Sequence, residues 1–171
     1  MKRTIYFLLA LIITSCVKNT KHSFKLEKEL IKTGFIKTSI EKETTGHIIL
    51  SVKINEKKAR FVVDTGASNS VIDENQKERL NINAAISDIV ATGAGRTDIP
   101  IAIAKNVKLE INSLLSNNKE FIVMNLDHVN LAIMDYNGQR VDGIIGSDIL
   151  TEIHAIIDYN DLNIFMKLKS N

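Results

Sequence analysis

A chain of 171 residues, 44% hydrophobic and 25% charged, has the composition of a folded globular protein and excludes a disordered one. Its 22 basic residues against 20 acidic ones include no basic block, which excludes a charge-built nucleic-acid surface. A single cysteine, Cys16, excludes a disulfide framework and a thiolate metal cluster.

The first element is an export signal. "MKRTIYFLLALIITSC" opens on Lys2 and Arg3, runs apolar from Ile5 to Ile13 and closes on the small residues Thr14 and Ser15. The run is too short for a mature membrane-spanning helix. The pattern resembles the bacterial lipobox, which implies that residues 1–15 are removed and that Cys16 carries the lipid. An ordinary signal peptide or an uncleaved anchor is the alternative. Cleavage would remove two basic residues and no acidic ones, leaving a neutral mature chain. Two or three acyl chains suffice for stable membrane anchoring.

Residues 16–45 read as a lipidated tether and lead-in, with weak helical spacing at Phe24, Leu26, Leu30 and Ile31 and Gly34 as a helix stop. Residues 46–171 read as one domain, long enough to bury a core without staples. "HIILSVKIN" alternates at Ile48, Leu50, Val52 and Ile54; "EKK" supplies a turn, and "ARFVVD" completes a hairpin. "DENQKERLNI" predicts a helical turn capped by Asp73 and ending near Asn81. Strands are expected around Ile86–Ala91, Ile99–Ala104, Val107–Ile111, Glu120–Leu126 and Val129–Ile133. "GSDILTEI" predicts a short helix, and "HAIIDY" and "LNIFMKL" predict closing strands joined at Asn160-Asp161. Many short strands with one or two short helices predict an all-β closed barrel or sandwich.

Within "FVVDTGASNSVID" an apolar strand runs directly into Asp64. Charged residues are rarely buried without a partner, so Asp64 either caps a turn or is a carboxylate placed for chemistry. The stretch "DTGAS" after three apolar residues resembles the active-site loop of the retropepsin-like aspartic proteases. About eighty residues later "VDGIIGSDILTEI" resembles the second signature of that family, and "ATGAGRT" lies between them where the family carries its flap. The resemblance covers about residues 46–168. It implies a retropepsin-like fold and peptide hydrolysis, with Asp64 as the catalytic carboxylate and Thr65, Gly66, Ala67 and Ser68 as its loop. It further implies Thr92, Gly93, Ala94 and Gly95 as the flap over a peptide or protein substrate, with a plain β-turn as the alternative. Ile144, Ile145 and Gly146 would support the loop from beneath. Thr65 would reach toward a partner loop, and Ser68, at a position often acidic in the family, would donate a hydrogen bond near Asp64.

Metal-free peptide hydrolysis needs a base for water and an acid for the leaving group. Two adjacent carboxylates supply both, because like charges at short range cannot both ionise. Only one Asp-Thr-Gly occurs in the chain, so the resemblance implies a homodimer with Asp64 contributed twice. No cofactor is needed. His22, His47, His128 and His154 show no metal-ligand spacing, and no serine-hydrolase or phosphate-loop motif occurs. Asp158 reads as structural, and Met124, Met134 and Met166 read as core fillers. Residues 107–140 exceed what a minimal retropepsin requires and would form a cleft wall, alter the dimer face or block it. With the N-terminus used as a tether, "LNIFMKL" remains for dimerisation. The overall expectation is a lipid-anchored aspartic endopeptidase of the bacterial cell envelope. The alternative is a non-catalytic peptide- or envelope-binding lipoprotein of the same fold.

Overall fold

The alternating stretch at residue 48 becomes a strand whose even-numbered apolar side chains face inward. In a computed structural model, which describes residues 20–93 and 96–167, Ile48, Leu50, Val52 and Ile54 are buried while Ser51 and Lys53 are exposed. This strand pairs antiparallel with Lys57–Val63 through a two-residue turn at Asn55 and Glu56, both at positive φ. Such turns match the twist of the strands they join. Asn55 also fixes its surroundings: its Nδ2 donates to the Leu80 and Asn81 carbonyls, and its Oδ1 accepts from the Lys108 amide at 3.0 Å.

In chain order the elements are α1 (Thr20–Lys32), β1 (Ile36–Ser39), β2 (Glu41–Lys42), β3 (Ile48–Ile54), β4 (Lys57–Val63), β5 (Val71–Asp73), β6 (Ala84–Gly93) and β7 (Arg96–Ile111). There follow β8 (Leu114–Met124), α2 (Asp127–Met134), β9 (Gly143–Ile145), α3 (Ser147–Glu152), β10 (Ile156–Asp158) and β11 (Asn163–Met166). The larger sheet runs β2-β3-β4-β9-β5-β8-β7-β6, and an added pairing of β3 with β7 closes six of its strands into a ring. The smaller sheet runs β1-β11-β10. The ring encloses the main apolar core, where Phe61 and Phe121 meet edge to face at 6.2 Å between centroids. Both rings are fully buried. Phe61→Ala is expected to cost about 3–5 kcal/mol of stability, read from chemical denaturation.

Several expectations need correction. The stretch Val129–Ile133 is helix, not strand. Short apolar runs do not separate the two by periodicity; here Val129 and Ile133 lie one turn apart and pack on a second, smaller apolar cluster with Ile49, Val62 and Val141. The strands expected at Ile99–Ala104 and Val107–Ile111 are one element, β7, irregular around Asn106, whose φ is positive. The helical turn expected after Asp73 is of the 3₁₀ kind, Glu74–Gln76, with Asp73 capping it through the Asn75 amide as predicted. In the lead-in the weak helical spacing forms α1, and Gly34 (φ +87°) stops it as expected, with the Phe35 amide bonded to the Leu30 carbonyl. Met166 is a core residue, whereas Met134 is 45% exposed. The lead-in before Gly46 contributes β1 and β2 to the two sheets. Cys16 and the export signal lie outside the described residues, as do Ala94, Gly95 and Leu168.

Candidate active site

The last three residues of β4, Phe61, Val62 and Val63, are buried. Pairing continues one residue further, because the Asp64 amide donates to the Ile145 carbonyl at 3.0 Å. There the chain turns. The Gly66 amide donates to Asp64 Oδ1 at 2.8 Å, and the Ala67 amide to the Asp64 carbonyl at 3.3 Å. Asp64, Thr65 and Gly66 are exposed, and Thr65 makes no hydrogen bond to any described residue. The apolar strand therefore delivers its carboxylate to the surface instead of burying it.

A Cβ built on Gly66 would touch only Asp64 Oδ1, at 3.2 Å, so the space in front of the loop is open within one chain. Ser68 is exposed and makes no hydrogen bond to Asp64; the Gly66 amide takes the role expected of it. The serine that matters locally is Ser70, which is buried. Its hydroxyl donates to Asp148 Oδ1 at 2.7 Å and accepts from the Gly146 amide at 2.9 Å. Its amide donates to Asp148 Oδ2 at 3.0 Å, and the Ser147 amide donates to the Ala67 carbonyl at 2.8 Å. Sequence reasoning missed Ser70 and Asp148, because an acid in the first turn of a helix is ordinarily read as a helix-end charge.

Strand β9 threads between the two strands that flank the loop, parallel to β4 and antiparallel to β5. Ile145 is fully buried there, and Ile144 packs on the outer cluster with Val62. Two glycines allow the close approach. A Cβ on Gly143 would lie 2.2 Å from the Val71 carbonyl oxygen and 2.3 Å from the Phe61 ring. One on Gly146 would lie 2.7–2.9 Å from backbone atoms of Asn69 and Ala67.

Strands β6 and β7 form an antiparallel hairpin paired as far as Gly93 with Arg96, which places Thr92 and Gly93 at the end of β6. Beside Asp64 lies a cavity of about 330 Å³ walled by Thr45, Gly46, His47, Val63 and Tyr159, residues the sequence reading did not select. On the β4 face that carries Asp64, residues two apart point the same way. Val62 shares that face, and α2 covers it through Ile133. Helix α2 is fixed at its start by Asp127, whose carboxyl is held below its usual range by the Asn125 amide and by Arg140. Its Asn130, fully buried, bonds Val141 in both directions and reaches Asp73 Oδ2.

A larger hollow of about 750 Å³ lies over the outside of β3 and β4. Within it Arg79 pairs with Asp142 and Lys53 with Glu110, each at 2.6 Å, and its lining includes no residue of the Asp64 loop, so size alone does not make it the site. Among the described residues no group of three or more His, Cys, Asp or Glu side chains is placed to hold a metal.

Residues 50–149, from β3 through the Asp64 loop and β9 into α3, match the family described as aspartyl protease. The chain belongs to this aspartyl protease family. Solved structures of similar fold include a retropepsin-like aspartic protease from Rickettsia conorii, 19% identical, with a TM-score of 0.55 over 78% of this chain and 92% of that one. They also include the EIAV protease in complex with an inhibitor, 20% identical, with a TM-score of 0.50 over 64% of this chain and 90% of that one. A search of curated proteins gave no match. The mostly β fold of this aspartyl protease is retropepsin-like.

Proposed function

We propose that the protein is an aspartic endopeptidase active only as a homodimer, with Asp64 of each copy forming the reacting pair. The observation that carries this reading is the presentation of Asp64 and Thr65. The chain holds one Asp-Thr-Gly, and that loop is exposed, fixed from behind by Ser70, Gly146 and Asp148, and open in front. A second loop facing it across a two-fold axis, the commonest symmetry of oligomers, completes the pair.

Two such carboxylates share one proton, and their two apparent pKa values belong to the pair, as in aspartic proteases generally. The ionised member takes a proton from water, whose oxygen bonds to the scissile carbonyl carbon. The protonated member gives its proton to the carbonyl oxygen. Collapse of the tetrahedral diol breaks the C–N bond as a proton passes to the departing nitrogen, releasing an acid and an amine. Water supplies the only added atoms. Thr65 and Gly66 shape the loop; Ile144, Ile145 and Gly146 support it; residues 92–95 form the flap that pairs with an extended peptide. The α2 segment, beside the Val62 face, forms a wall of the cleft.

The N-terminal residues support lipidation at Cys16 and anchoring to the bacterial cell envelope. Confinement to a membrane raises the local concentration of copies, which favours a dimer. Sedimentation of the protein at acid and neutral pH, beside cleavage of a mixed peptide library, tests the reading. Pepstatin-sensitive cleavage that appears together with the dimer is the expected result. A chain that stays monomeric at high concentration and cleaves nothing overturns it.

A further inference from the structure

The lead-in expected as a tether is for the most part a built element. Helix α1 (Thr20–Lys32) stops at Gly34, and β1 of the smaller sheet follows at once. There β1 takes one edge of β11 and β10 the other, so Asn163–Met166 is an inner strand with no free edge, contrary to the dimerisation role expected from the sequence. Side chains hold the helix to this sheet. Glu27 pairs with Lys37 of β1 at 2.8 Å. The Lys167 ammonium donates to the Thr33 carbonyl at 2.7 Å and lies 5.9 Å from the centre of the Phe35 ring.

The helix rests on the body through Glu27 and Leu30, both half-buried. At about 100° per residue, Lys25, Lys28 and Lys32 fall within about 60° of one another on the opposite side. All three are exposed. Among the described residues Lys25 and Lys28 have no ion pair or hydrogen bond, and Lys32 meets Glu29 at 2.9 Å, with both side chains 57% exposed. Leu26 and Ile31, 51% and 47% exposed, stand on either side of the lysine stripe. Cys16 is four residues before Thr20, and four residues reach at most about 14 Å. A lipid on Cys16 would therefore bring the start of α1 down to the headgroups. From this juxtaposition we infer that the lysine face of α1 docks on an anionic phospholipid bilayer. The inference rests on the Cys16 anchoring read above and names the protein surface that the anchor brings to the membrane.

The occupant is a bilayer because nothing else is held so near this face by the covalent chain, and it is anionic because the face is cationic. Each lysine close to such a surface strengthens attachment by about fivefold, and the attraction fades within a Debye length. The contact is electrostatic adsorption. The side chains facing away from the body are charged, and the exposed apolar ones flank them instead of leading into the acyl layer. Because α1 is fixed to the smaller sheet, docking of this face also sets how the Asp64 loop is oriented over the membrane.

The test uses the whole protein, expressed with its own signal and reconstituted into vesicles of phosphatidylcholine alone or of phosphatidylcholine mixed with phosphatidylglycerol. Mass spectrometry of the N-terminal peptide first reads whether Cys16 carries acyl chains. Hydrogen exchange of amides 25–32 is then expected to be at least about tenfold slower on the anionic vesicles than on the neutral ones, and the difference should vanish at high salt. The combined Lys25→Glu, Lys28→Glu and Lys32→Glu exchange should abolish it. Lys57→Glu, Lys58→Glu and Lys105→Glu, the same change of charge placed on the larger sheet, should leave it intact. Exchange in β3 and β4, the same on both vesicles, reports that the fold is intact, and the salt series on the parent stands even where a variant fails to fold. Equal exchange of α1 on both vesicles with Cys16 acylated overturns the docking face and leaves the anchor standing. An unmodified Cys16 removes the anchor and the inference with it. None of these readings depends on peptide cleavage.

Discussion

Asp64→Asn is expected to lower peptide cleavage by roughly 10⁴-fold or more, because the exchange removes the general base and the general acid from both halves of the pair at once. Folding should be nearly untouched. Asp64 is exposed, and an asparagine retains an Oδ1 that can accept the Gly66 amide bond now measured at 2.8 Å. Surface exchanges of this kind move stability by about 0.5 kcal/mol or less. The half-site makes a sharper demand in mixtures. When equal amounts of parent and Asp64→Asn chains exchange freely, only parent–parent dimers keep two carboxylates, so activity should fall to about one quarter of that of parent at the same total protein concentration. A fall to one half would mean that each copy works alone. Peptide turnover, read beside a thermal melt of each sample, decides the matter. Cleavage that survives in pure Asp64→Asn protein ends the aspartic mechanism.

Gly146→Val should cost both stability and turnover. The new Cβ would stand 2.7 Å from the Asn69 carbonyl carbon, 2.8 Å from its oxygen and 2.9 Å from the Ala67 oxygen. All three are backbone atoms, so no side chain can swing aside and the Asp64 loop itself must shift. Movement strains the Ser147 amide bond to the Ala67 carbonyl and the Gly146 amide bond to Ser70 Oγ. Overpacking of this kind costs about 1–3 kcal/mol. Displacing a reacting group by about 1 Å costs on the order of 100-fold in rate, so turnover should drop further than stability alone explains. Gly66→Ala provides the contrast. Its only close contact would be Asp64 Oδ1 at 3.2 Å, so the single chain should fold with a melting temperature near the parent's. Denaturation midpoints beside kcat/KM for the folded fraction separate the two glycines. A fully active Gly146→Val protein would show that the loop is not held from beneath.

The two exchanges also mark where information resides in this chain. Asp64, its Thr-Gly turn and the β3–β4 hairpin were legible from consecutive residues, because strand alternation and turn chemistry act over two to five positions. The short helix α3 was legible too. So was the order of loop, hairpin, second signature and closing strands, which carries the resemblance to a family that residues 50–149 match. The Ser70–Asp148 lock was not legible, since its partners are 78 residues apart and each has an ordinary local reading.

Helix α2 shows the same limit in another form. Val129 to Ile133 is apolar enough for either periodicity, and contact with Ile49, Val62 and Val141 from distant strands is what selects the helix. The free edge at β10 is the plainest case. Both closing strands were anticipated, yet which of them keeps an unpaired side among the described residues depended on β1, more than 110 residues earlier, taking the far edge of β11. The amino-acid order determined the carboxylate, its turn and the local strands, because those follow from neighbours in the chain. The tertiary structure alone decided what holds the carboxylate outward and which strand edges stay unpaired among the described residues. Those depend on hydrogen bonds and packing between residues that meet only after folding.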